Sequence, residues 1–163
     1  MMKLTPLVKG AITGAVMLGI TLVLSSMKIA ANSGAQYLIY ATYAGGIIWT
    51  LMAYVRSGSF TGKFGELFGQ GFRCFIVVTL ILVIFTFIFS SMHPEFAEQS
   101  AQYYREDLVK ANNLTPGEID KQVASYKKSF TTTVVSMTIF QNLILGTIFT
   151  AAGAGFILMR RKQ

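Results

Sequence analysis

The sequence predicts an all-α integral membrane protein with four transmembrane helices, and three observations predict it. First, 53% of the 163 residues are hydrophobic and only 13% are charged, with a mean hydropathy of +0.54. A soluble domain carries about 25% charged residues, so this chain cannot cover a water-facing surface. Second, four apolar runs reach the ~20 residues that a helix needs to cross hydrocarbon. Third, the basic residues lie between these runs instead of gathering on one soluble face. The net charge of +7 therefore speaks for membrane topology and against nucleic acid. A chain of this length is expected to form a single membrane domain over residues 1–163.

The first run covers about residues 7–27. Its basic start, Lys3 and Lys9, and the small residues near Ala30 to Ala35 give it some likeness to a signal peptide. It is read as a retained span. The second covers about 35–55, the third about 72–92 and the fourth about 132–159. None has a charged residue at its middle. The third is rich in β-branched and aromatic residues, which favour strands in water. In lipid the backbone must satisfy its own hydrogen bonds, so a helix is expected.

Between spans two and three, residues 63–75 read KFGELFGQGFRCF. Phe60, Phe64, Phe68 and Phe72 recur every four residues, and Leu67 is assigned to the same face. With Lys63, Glu66 and Arg73 able to reach water, this spacing predicts an interfacial amphipathic elbow before helix three. Phe64, Gly65, Glu66, Phe68, Gly71 and Phe72 form it, and its glycines permit a bend or a close approach. Glu66 is expected to pair with Lys63 or Arg73, or to cap a neighbouring helix. Arg56, Lys63 and Arg73 are the candidate contacts for a lipid head group.

Residues 93–131 predict an extracytoplasmic helical hairpin before helix four. Pro94, with Glu95 and Glu98 behind it, suits a helix start. The pattern fades at Asn112 and Asn113. Thr115, Pro116 and Glu118 then form a capping box with proline at the first helical position. Ile119, Val123, Tyr126 and Phe130 follow on one helical face, and this helix is expected to continue into span four. The hairpin either caps its own bundle or receives a partner.

Basic residues set the orientation. Lys3, Lys9, Arg56, Lys63, Arg73, Arg160, Arg161 and Lys162 fall on one side, opposed only by Glu66. On the other side lie Lys28 and the long loop, whose five basic and six acidic residues sum to −1. Both termini are expected in the cytoplasm, with the helical loop outside.

Few groups invite chemistry. The only cysteine, Cys74, and the only histidine, His93, are separated by a long apolar run. Neither a disulfide, a metal site nor a thiol–base pair is expected, and no cofactor motif is present. The polar groups of the spans are neutral. Gln141 and Asn142 of span four stand out; the others are Tyr40 and Tyr43 in span two and Thr79 and Thr86 in span three. Such amides ordinarily hydrogen-bond between helices, at about 1 kcal/mol; the alternative is a polar substrate path. Small residues at four-residue spacing, Gly10 and Gly14, Ala41 and Gly45, Ala151 and Gly155, are the expected helix-packing positions.

The order FGELFGQGF at 64–72, an apolar span, HPEF at 93–96, LTPGEID before the last span and a basic end resembles a family of small four-span proteins found mainly in Bacteroidetes, domain of unknown function 4199. The likeness covers nearly the whole chain. The family pattern is a (S/N)(F/Y)GEAF..GF box. Phe64, Gly65, Glu66, Phe68, Gly71 and Phe72 match it, while Leu67 replaces the usual small residue. The resemblance implies no catalytic residue. It implies a partner, because members are encoded near polyprenyl-phosphate-type glycosyltransferases.

Together these readings predict a non-enzymatic accessory or scaffolding subunit of an inner-membrane complex. Its expected partners are membrane lipid and another membrane protein or enzyme, and a homo-oligomer is compatible with them. The alternative is a small transporter or lipid translocator with a polar path near the fourth span. A lipid-directed enzyme using Glu66, Arg56 and Arg73 ranks last.

Overall fold

The computed structural model describes residues 4–26, 34–111 and 113–161. Met27, Lys3, Lys28, Asn112 and Lys162, each part of an expectation above, lie outside them. Five helices follow in order: α1 (Pro6–Ser26), α2 (Ala35–Val55), α3 (Phe64–Met92), α4 (Pro94–Ala111) and α5 (Pro116–Arg161). There is no strand among the described residues. Of these helices, α1, α2, α3 and α5 are long and apolar enough to cross a membrane. At 1.5 Å per residue, the 21 residues of α1 and of α2 extend about 31 Å, close to the ~30 Å of a hydrocarbon core. The chain is a multi-pass helical membrane protein.

Its contacts group into two compact units. One comprises residues 1–82 and 140–163, the other residues 83–139. In the first, apolar side chains of α1, α2, α3 and α5 meet in a core of Met17, Tyr43, Ile47, Leu51, Leu67, Phe75, Val78 and Ala154, joined by Phe60 from the connection before α3.

Glycines set how closely these helices approach, because a Cβ at them would collide. A methyl at Gly10 would stand 2.5 Å from the Cys74 carbonyl oxygen on α3. At Gly14 it would stand 3.0 Å from Ile81, and at Gly146 2.5 Å from the Tyr43 hydroxyl and 2.6 Å from the Phe75 ring. Gly46 receives Thr13 of α1, and Gly71 receives Thr150 of α5, both inside normal van der Waals separation. Gly153 receives Leu51 of α2.

Two expected packing positions are corrected. A Cβ at Gly45 or Gly155 would meet nothing within 4 Å. Four-residue spacing identifies a helix face without saying which face is covered. The glycines in contact are the neighbours, Gly46 one position on and Gly153 two positions back. Ala41 is exposed and Ala151 half-buried.

The glycine–phenylalanine stretch differs from expectation in the same way. It is the first part of α3 itself, with no break before the apolar run. Leu67 is fully buried, while Phe64 and Phe72 are each 45% exposed. Leu67 is therefore not on the phenylalanine face. Leu67, Gly71, Cys74 and Val78, at spacings of four, three and four, form the buried stripe that meets the bundle. Phe64 stacks on Phe68, ring centroids 5.9 Å apart. Before α3 the chain turns at Gly58 and Gly62, whose φ angles of 74° and 95° are left-handed. Between them Phe60 is tucked in, edge-on to Tyr54 at 5.9 Å.

In the second unit, α4 runs antiparallel to the start of α5. Arg105 donates to Asp120 at 2.7 Å and Lys127 to Glu98 at 2.5 Å. The Tyr104 and Tyr126 rings stack with centroids 4.7 Å apart. Ala97, Ala101, Ile119 and Phe130 are buried. At the start of α5, Glu118 accepts both the N–H and the hydroxyl of Thr115, at 2.8 and 2.7 Å. These bonds hold its carboxyl below the usual range, the backbone N–H contributing most. The Glu95 carboxyl at the start of α4 is lowered too, chiefly by its own backbone N–H and then by the His93 ring, whose Nδ1 lies 2.7 Å away.

Candidate functional site

The site is built at the ends of α1 and α2 in the first unit. A cavity of about 1060 Å³ is lined by Lys9 of α1, by Trp49, Tyr54 and Arg56 at the end of α2, by Ser57 and Ser59 of the following turn, and by Gln70 of α3. A second, of about 470 Å³, is lined by Arg56 with Phe156, Arg160 and Arg161 of α5. The two share Ile48, Met52 and Arg56.

Helix geometry explains why these residues face the cavities. Ile48, Met52 and Arg56 recur every four residues along α2 and its C-cap, so they form one ridge. Arg56 holds the end of α2 through its backbone, which donates to the Met52 carbonyl at 3.0 Å and leaves the guanidinium free to extend. Ser57 closes the turn, its hydroxyl donating to the Tyr54 carbonyl at 2.7 Å.

Lys9 is only 7% exposed, a rare state for lysine. Its ammonium lies 5.8 Å from the centre of the Trp49 ring, close enough for a cation–π attraction. Arg160 sits over Phe156 at 5.7 Å and Arg161 over Phe60 at 5.0 Å. None of Lys9, Arg56, Arg160 or Arg161 has a carboxylate within ion-pair distance among the described residues. The first unit contains a single acid, Glu66. Its carboxylate accepts the backbone N–H of Thr61 at 2.9 Å and the Thr61 hydroxyl. The expected pairing of Glu66 with Lys63 or Arg73 is not formed; the turn at Gly62 folds Thr61 back onto it instead.

Of the three basic residues expected to contact a head group, Arg56 lines both cavities, while exposed Lys63 and Arg73 line neither. The structure brings Arg56 together with Lys9, Arg160 and Arg161. Sequence reading used those three for orientation alone. The available signal was that Lys9 and Arg56 sit at the ends of adjacent spans.

The polar groups of the spans bond across helices. Gln141 Nε2 donates to the Tyr40 hydroxyl at 2.7 Å, and the Tyr43 hydroxyl donates to the Asn142 backbone carbonyl at 3.0 Å. The Gln141 side chain and the Asn142 backbone carbonyl therefore tie α5 to α2. None of these four residues lines either cavity. Cys74 is buried, its Sγ 3.9 Å from the Gly46 carbonyl. No group of three or more metal-ligating side chains occurs among the described residues.

Apolar helices tied together by glycine contacts and by hydroxyl and amide hydrogen bonds define a helical-bundle membrane protein. Within that class, residues 9–160 match the family described as Protein of unknown function (DUF4199), and the chain belongs to that family. Neither the curated proteins nor the solved structures gave a match.

Proposed function

We propose that this protein is a non-enzymatic accessory or scaffolding subunit of a larger complex in a bacterial inner membrane, with both termini cytoplasmic. The observation that carries this reading is where the polar groups of the spans go. Gln141 bonds to Tyr40, and Tyr43 bonds to the carbonyl of Asn142. These are the residues that a polar translocation path near the fourth span would have to keep available, and their use in packing favours the accessory role over transport. Side chains on α4 offer a docking surface: Tyr103 is 70%, Val109 56% and Phe96 40% exposed, while Ala97 and Ala101 are buried. A polyprenyl-phosphate-type glycosyltransferase is the partner class that the family resemblance suggests. Basic residues flanking the short connections support cytoplasmic termini.

The test is purification in mild detergent with identification of stoichiometric companions, repeated with Tyr103→Asp. A companion lost from the variant while the protein itself still folds is the expected result. A protein that purifies alone, and whose deletion leaves every neighbouring membrane complex intact, would remove the proposal. Cysteine accessibility from each side of the membrane, probed at Ser57 and at Gln99, tests the orientation.

A further inference from the structure

We infer that the paired cavities of the first unit bind one phosphate-bearing anionic lipid, its head group held by Lys9 and Arg56 and its chain along Ile48 and Met52. The inference does not depend on the accessory role.

Charge comes first. Four cations line the two cavities, and no acidic residue does. The one acid of the unit, Glu66, is engaged with Thr61. Lys9, Arg160 and Arg161 each lie over an aromatic ring, which attracts a cation without neutralising it. A buried lysine normally has a paired anion. Lys9 has no carboxylate within ion-pair distance among the described residues, which leaves the cavity electropositive and suited to an anion.

Shape and polarity then choose the ligand. An arginine fork beside a lysine point charge suits phosphate oxygens, which accept several charged donors at once. Ser57, Ser59 and Gln70 add neutral hydrogen-bonding groups to the larger cavity. The shared ridge is apolar up to Arg56, and its Ile48 and Met52 are each more than 40% exposed. A free phosphate would leave that ridge bare, whereas a lipid covers it with its chain.

The test uses the full chain in a non-ionic detergent, with binding read by native mass spectrometry and by thermal shift. Dioleoyl phosphatidate, dioleoyl phosphatidylcholine and inorganic phosphate are the probes. Phosphatidate is expected to bind and to raise the melting temperature, with the zwitterionic lipid and inorganic phosphate weaker by about tenfold or more. Arg56→Gln, whose side chain is exposed, is expected to weaken phosphatidate by about tenfold, and Lys9→Gln by a similar factor. Lys63→Gln and Arg73→Gln, whose charges lie outside the cavities, should bind as the parent does. Equal loss in those two variants would reduce the effect to general surface charge and overturn the site. Unchanged binding by Arg56→Gln and Lys9→Gln would overturn it as well. Inorganic phosphate competing at concentrations like those of phosphatidate would replace the lipid by a free anion.

Discussion

The two units of this chain are held together by different physics. Residues 1–82 and 140–163 contain one acid and nine basic residues, and they pack through glycines, a buried apolar core and a few hydrogen bonds. Residues 83–139 contain six acids and five basic residues, and their helix pair is fastened by ion pairs, a tyrosine stack and a capping box. The first unit tolerates little change of shape and little change of charge is felt in its core. The second should be the reverse: adaptable in shape, and sensitive to salt and pH.

Five measurements would break or sharpen this contrast. The largest effect is expected at Gly146. Gly146→Val would drive a branched side chain into Tyr43 and Phe75, at about 1–3 kcal/mol or more, read as a lower melting temperature in detergent. Gly69→Ala on α3 is the control, because its Cβ meets nothing within 4 Å. It should be neutral or stabilising by up to about 1 kcal/mol. Equal losses in both would mean that glycine contacts do not set the packing of this unit.

Next comes the tyrosine stack. Tyr104→Ala removes the ring partner of Tyr126, worth about 0.5–1.5 kcal/mol beyond the area lost. Hydrogen exchange on α4 should quicken, with the first unit unaffected. A smaller effect is expected from Tyr43→Phe, which deletes the hydroxyl bonded to the Asn142 carbonyl, at about 0.6 kcal/mol.

The smallest effects are electrostatic. Breaking the Arg105–Asp120 pair, whose side chains are 56% and 60% exposed, should cost about 0.2–1 kcal/mol and vanish in high salt. The pH response has a fixed sign. Glu95 and Glu118 have carboxyls lowered from an ordinary value of 4.5. Each therefore stabilises the fold above that value, and the contribution is lost as pH falls through the lowered one. Acidifying from about pH 6 to about pH 3.5 should loosen the second unit, and Glu118→Gln should flatten that response.

Much of this architecture is legible in the residues. The apolar runs identify four helices because lipid leaves the backbone no other solution, and α2 occupies Ala35–Val55, the residues its run marks. Thr115, Pro116 and Glu118 identify a helix start because capping is local. The candidate site was far less legible. Arg56 was identified by charge and position, but Lys9, Arg160 and Arg161 come from distant parts of the chain and meet Arg56 only through the packing of α1, α2 and α5. The phenylalanine periodicity misplaces Leu67, which is fully buried while Phe64 and Phe72 stay exposed, because a four-residue repeat of large rings does not say which side the bundle covers. Spacing places Gly10 and Gly14 on a covered face, whereas on α2 and α5 the covered glycines lie one or two positions from Gly45 and Gly155. Periodicity fixes the angle between side chains, while the partner helix fixes which angle is covered.

The fit of Gly71 against Thr150 has an evolutionary consequence. Thr150 is fully buried, and its hydroxyl has no hydrogen-bond partner, so nothing polar requires a threonine there. What holds it is volume: its methyl and hydroxyl occupy the space that a side chain at position 71 would need. Among relatives, alanine or serine at 71 should appear with glycine or alanine at 150, and the two positions should drift as a correlated pair. Gly46 with Thr13 and Gly153 with Leu51 should show the same linkage. Divergence in this bundle would then proceed by compensated exchanges of volume, one helix giving up what its neighbour gains.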